Sequence, residues 1–230
     1  MSRILKLKSL AVAAVLTFSG LSQASFTAVT SETAFRGMVA TWGIDSLDDL
    51  VGNVDQEVLA TLARTTTIGA SYGYAANTSL PGDNNKFFVA PYPIDKYLSP
   101  SAQGPILLTG FSTDVKAIGG YFFATGDLTP TGGLELLLGL TLTVVATDVN
   151  GVSFSSPFIG VSATSFLGFV STVPLRALSI EISAASAGYP TVNNLYLASA
   201  VAAVPELRTW AMMLAGLGFV GFSASRRRRD

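Results

Sequence analysis

The chain has 230 residues, with 14 basic and 15 acidic side chains, no cysteine and no histidine, and 49% of it is hydrophobic. Without Cys or His, neither a Ser-His-Asp nor a Cys-His nucleophile system can be assembled, and zinc loses its usual ligands. Carboxylate chemistry and hard-cation binding by oxygen ligands stay open.

Residues 1–24 have a positive start (Arg3, Lys6, Lys8), a short apolar core from Leu10 to Phe18, and Ser22-Gln23-Ala24 before a cleavage point after Ala24. This is the layout of a secretory signal peptide, and the apolar run is short for a membrane span. The other end runs uncharged from Trp210 to Ala224 and is followed by Arg226, Arg227, Arg228 and Arg229. As a helix that run would extend about 22 Å against a ~30 Å hydrocarbon core, a gap closed by local thinning and snorkelling arginines. The arginines would hold that end in the cytoplasm, with Trp210 at the outer interface.

Residues 25–203 are then the expected single domain, with six basic against thirteen acidic residues, a net charge of −7 where the whole chain has −1. Such a balance argues against nucleic acid as a partner. Ser31 to Ala40 reads as a short helix, capped by Thr30 or Ser31, with Glu32 in its first turn and Phe35, Met38 and Val39 on one face.

Beyond Asp55, short runs rich in β-branched and aromatic residues alternate with Gly, Pro, Asn and Ser clusters. The expected strands are Glu57–Thr65, Gly69–Ala75, Lys86–Ala90, Ile106–Gly110 and Lys116–Thr125. Leu134–Asp148, Val152–Pro157, Ser165–Val170, Leu178–Ser183 and Asn193–Leu197 follow. Many short strands of this kind predict a mainly β sandwich or barrel. Asn150-Gly151 between Thr141–Asp148 and Val152–Pro157 predicts a hairpin with a two-residue type I′ turn. Gly139 marks a possible kink in the long Leu134–Asp148 run. Ala200–Pro205 reads as a linker.

The segment 204–230 resembles the PEP-CTERM sorting signal. Its matching residues are Val204-Pro205-Glu206, the apolar stretch opening at Trp210, and Arg226–Arg229; Leu207 stands where the motif has a second proline. The resemblance implies export, transient anchoring in the inner membrane, and cutting near Pro205-Glu206 by an exosortase-type peptidase. It also implies an end point at the cell surface or in an extracellular polysaccharide matrix. The central region is similar to jelly-roll sandwiches of the carbohydrate-binding kind, through Ala117–Phe123, Val144–Asp148, Phe166–Ser171 and Pro190–Leu195. That likeness implies a jelly-roll-like β-sandwich with a short N-terminal helix, besides a signal-peptide helix and a C-terminal transmembrane helix.

Within the domain, Asp45, Asp48 and Asp49, near Asp55 and Glu57, form the densest acidic cluster. It is a candidate for calcium, although it lacks the EF-hand order, and the alternative is a solvated acidic loop. Asn193-Asn194 reads as a turn before the last strand. Tyr72 and Tyr74 share one face of one strand between glycines and are candidates for stacking on a sugar. Arg64-Thr65-Thr66-Thr67-Ile68 reads as a strand end. Glu32, Glu57, Glu135 and Glu181 form no recognisable catalytic pair. The expectation is a non-enzymatic surface or matrix protein that binds polysaccharide or other envelope components, or is structural. The alternative is a carboxylate-dependent hydrolase of extracellular glycan.

Overall fold

The computed structural model describes residues 26–50, 61–78, 86–91, 96–128, 134–159, 161–182 and 188–201. The expected signal segment with Ala24 lies outside the described residues, as do Asp55, Glu57 and the tail bearing Pro205, Glu206, Trp210 and Arg226–Arg229. Among the described residues, no helix is long and apolar enough to cross a membrane.

The described chain is mainly β, in two antiparallel sheets. In chain order it begins with β1 (Phe26–Val29), α1 (Glu32–Met38), β2 (Val39–Asp45), β3 (Thr61–Thr65) and β4 (Ile68–Gly69). Then come β5 (Gly73–Thr78), β6 (Phe87–Pro91), β7 (Lys96–Pro100), β8 (Ile106–Thr109), β9 (Ala117–Leu128) and β10 (Leu134–Leu137). The last five are β11 (Thr141–Asp148), β12 (Ser153–Ile159), β13 (Phe166–Ser171), β14 (Leu175–Ile182) and β15 (Tyr189–Val201).

The larger sheet runs β1-β13-β9-β15-β2-β4, with β10 on β9 and β7 joining β15 to β6. The smaller runs β12-β11-β14-β8-β5-β3. The main core, including Phe87, Phe122, Leu142, Phe169 and Ile180, packs between them. A second cluster of Phe35, Val39, Ile44, Phe166, Val170 and Tyr196 lies where α1 covers the opposite face of the larger sheet. Strand β13 therefore has no solvent face. Phe166, Gly168 and Val170 turn to α1, and Leu167 and Phe169 turn to the other sheet, so all six residues are buried.

Local chemistry explains α1. The Ser31 hydroxyl accepts from the Ala34 N–H at 3.4 Å, satisfying one of the free amides of the first turn. Glu32 and Arg36 pair across one turn at 2.6 Å. The helix stops at Met38, two residues earlier than expected, because Val39 is extended and opens β2. Fully burying Phe35 contributes roughly 1.5–3 kcal/mol over leaving it exposed.

Three expectations need correction. The Leu134–Asp148 run is two strands in different sheets, β10 and β11, parted around Gly139, which has φ +82°. The hairpin is not a two-residue type I′ turn. Of its loop residues only Gly151 has positive φ, and the Asp148 N–H bonds to the Val152 carbonyl. This is a three-residue loop closed by a glycine bulge. Asn193-Asn194 lies inside β15, not before it. Asn194, at φ +47°, sits where the register to β9 slips between Asn193 and Tyr196. Such a slip is a β-bulge, and it bends a strand that must pair with both β9 and β2.

Candidate functional site

Asp45 ends β2 and is wholly buried. Its Oδ1 accepts from the Leu47 N–H at 3.0 Å and the Arg64 Nη2 at 2.6 Å. Its Oδ2 accepts from the Arg64 Nε at 2.9 Å and the Tyr74 hydroxyl at 2.8 Å. The carboxylate thus spends four acceptor positions on protein donors. Asp49 adds a second fork, at 3.0 Å to Arg64 Nη1 and 2.6 Å to Arg64 Nη2. That hydrogen bond from Arg64 holds the Asp49 carboxyl below its ordinary range. Lys96 Nζ donates to the carbonyls of Asp48 and Leu50.

Among the described residues the acidic cluster is therefore a latch: Arg64 lies between the carboxylates of Asp45 and Asp49, and Asp48 is exposed. Among the described residues, no group of three or more His, Cys, Asp or Glu side chains is arranged to hold a metal.

The tyrosine expectation also fails. Tyr72 and Tyr74 do share a face, but it is the core face, and they are 4% and 5% exposed. The Tyr72 hydroxyl bonds to Ser199 Oγ at 2.7 Å, and Tyr74 to Asp45. Neither offers a ring to a sugar. Burial, and next the charge of Asp45, push the Tyr74 hydroxyl well above the usual tyrosine range.

A second charged group closes over α1. The Arg36 guanidinium lies 4.2 Å from the Trp42 ring centre and 5.4 Å from that of Tyr196, while pairing with Glu32. The Tyr121 hydroxyl donates to Glu32 Oε2, and burial together with that bond raises its ionisation above the usual tyrosine range. These contacts are mutual, and they fasten α1 to its sheet.

Among the described residues, two features remain open to a ligand. The first is the outer face of the smaller sheet. Cross-strand register sets Ser153, Thr147, Ala177, Thr109, Ala75 and Ala63 in one row. Ser155, Val145, Ser179, Leu107, Asn77 and Thr61 form the next. On β11 these residues alternate with buried Leu142, Val144 and Ala146 and so point away from the core. Six strands at ~4.8 Å make the face roughly 24 Å wide, and neither row carries a charge.

The second is a solvent-open cleft of about 230 Å3 where the chain crosses from β7 to β8. Gln103, Gly104, Pro105, Glu181, Ile182, Gly188 and Pro190 line it. Glu181 stands on β14 directly opposite Thr143, one row along the outer face from Ser179. Sequence reasoning takes Glu181 only as one of four glutamates and Arg64 only as part of a strand end, and does not single out Gln103. A lone arginine inside a threonine run, in a domain with six basic residues, was the available signal for Arg64. Gln103 carried none, because its importance comes from β14 and β15 meeting its loop. No protein-family model matches the chain, and a search of curated proteins finds no match.

Proposed function

We propose that the chain is an exported, non-enzymatic cell-surface or matrix protein whose sandwich binds extracellular polysaccharide. In this reading the signal segment is removed after Ala24. The tail from 204 holds the chain in the inner membrane until an exosortase-type peptidase cuts near Pro205-Glu206. The two antiparallel sheets support the jelly-roll-like form of the reading.

The observation that carries the binding role is a pair of uncharged rows, of Ser, Thr, Ala and Asn with Val145 and Leu107 among them, laid in register over six strands of an otherwise acidic domain. Rows that mix short hydroxyl and amide side chains with apolar ones suit a polymer that presents hydroxyls and small apolar ring faces. They have no charge to desolvate, and Glu181 follows at their margin. A hydrolase would need a second carboxyl group about 5–9.5 Å from the first. The cleft has Glu181 as its one described carboxylate.

Calorimetric titration of the purified chain with the host's extracellular polysaccharide tests the reading, once with calcium and once with chelator. Saturable binding in both conditions is expected, since Arg64 already fills the acidic cluster. Absence of heat in both would leave a structural envelope component as the better description.

A further inference from the structure

We infer that the cleft beside Gln103 and Glu181 is a subsite for one neutral sugar ring, a chain end or side branch of the polysaccharide. This deepens the reading above and rests on it. Four observations converge. The cleft, at about 230 Å3, is smaller than the pockets that take drug-sized ligands, so it suits a single ring and not an oligomer.

Its walls are of two kinds. Ile182 and Pro105, each half-buried, give an apolar side for the C–H face of a pyranose, and Glu181 and Gln103 give acceptors and donors for hydroxyls. The polar pair is complementary: a carboxylate only accepts, whereas an amide both donates and accepts. Together they offer sugar hydroxyls both donors and acceptors. Finally, Glu181 is exposed, its Oε1 accepts from Ser179 Oγ at 2.8 Å, and Ser179 belongs to the hydroxyl-lined face. A glycan lying along that face reaches the cleft without leaving the surface.

The carboxylate also sets the ligand class. A uronate or sulfated ring would place its negative charge beside Glu181 with no basic residue among the described residues of the lining to offset it. The cleft therefore selects neutral sugars, and that selectivity is what a mere surface depression would lack.

Saturation-transfer NMR of the full chain in detergent, with methyl glucoside, methyl galactoside, methyl mannoside and methyl glucuronide as probes, tests this. At least one neutral glycoside should give transfer and the glucuronide none. Glu181→Ala and Gln103→Ala should each weaken the neutral signal about tenfold or more. Glu181→Gln should narrow the gap between neutral and acidic probes. Circular dichroism controls for folding.

Transfer that persists unchanged in all three variants overturns the subsite. So does polysaccharide binding by the wild type that the variants match, although the broader binding reading then survives. Silence with every glycoside and with the polymer overturns both.

Discussion

Gly168 lies beneath the Phe35 ring: a Cβ on Gly168 would fall 2.5 Å from Phe35 Cδ2 and 3.1 Å from Phe35 Cε2. Its register partner on β9 is Gly119, where a Cβ would fall 2.7 Å from Phe166 Cζ. Two facing glycines thus hollow the larger sheet, and Phe35 and Phe166 fill the hollow edge to face, with ring centres 5.7 Å apart. The small helix gains its seat from this notch, not from its own seven residues.

Gly168→Ala should destabilise the domain by about 1–3 kcal/mol, since the ring has backbone and aromatic neighbours on its other sides. Phe35→Ala alone should cost about 3–5 kcal/mol. The double variant should cost clearly less than the two combined, because the methyl group at 168 is then relieved of its two closest contacts and keeps only the one with Phe166 Cε1 at 3.2 Å. Urea denaturation of the four proteins measures this. Simple additivity would mean that Gly168 is needed for some reason other than the Phe35 ring.

The Asp45–Arg64 pair makes a different demand. Asp45 has no exposed side-chain surface and the Arg64 side chain has 8%. Removing either partner leaves a buried charge with too few partners, so Asp45→Ala and Arg64→Ala should each cost about 3–5 kcal/mol. The Asp49 side chain is 56% exposed, and Asp49→Ala should cost about 0–1 kcal/mol. Added calcium should leave the melting temperature of the wild type unchanged. A rise of several degrees with calcium, abolished in Asp49→Ala, would mean that the cation displaces Arg64 and that the latch is a metal site.

Two ends of the pH scale should report on the same nest. The folded-state ionisation of Asp49 is lowered from 3.8 chiefly by its hydrogen bond with Arg64. Its contribution is therefore present above about pH 4 and is lost as pH falls through the folded value. Asp49→Asn should be less stable than the wild type at neutral pH, with the difference closing in acid. Tyr74 is shifted upward, first by burial and then by Asp45. Its contribution is whole below about pH 10 and is lost as pH rises from there towards the folded value. Tyr74→Phe should flatten the alkaline fall while costing about 1–3 kcal/mol at neutral pH, because Asp45 Oδ2 loses a donor. Equal pH slopes in wild type and variants would detach these residues from the nest.

What could be read in the sequence was what is local. The alternation of Thr141–Asp148 gave β11, and each second residue is indeed buried. Ser31 and Glu32 marked the start of α1. Long-range partners decided the rest. β7 sits among Pro91, Pro93 and Pro100 and reads as loop, yet five register pairs tie it to β6. β2 was hidden behind Gly43, which looks like a turn residue but is demanded by packing. A Cβ there would fall 2.0 Å from the Ala70 carbonyl oxygen.

The tyrosines misled for the same reason: glycines beside them suggested exposure, while the element that covers Tyr74 comes from Asp45, 29 residues earlier. Asp45 itself looked like one of three loop acids, because its partner Arg64 lies 19 residues away among threonines. The outer face of the smaller sheet is legible only once register is known, since its two rows draw on six separate strands.

The hairpin after β11 gives a last test, one that separates backbone strain from hydrogen bonding. Gly151 has φ +82° and nothing within 4 Å of where a Cβ would sit. Gly151→Ala therefore pays only for left-handed backbone, about 1–2 kcal/mol, and Gly151→Asn should pay less because asparagine tolerates that region. Asp148, wholly buried, accepts through Oδ1 from the N–H groups of Asn150 at 2.8 Å and Val152 at 2.9 Å. Asp148→Ala leaves both donors without that acceptor and should cost about 1–3 kcal/mol, whereas Asp148→Asn keeps an oxygen in place and should cost less. Thermal denaturation ranks the four variants. If Gly151→Asn proves as costly as Gly151→Ala, relief of left-handed backbone is not what the glycine supplies to this loop.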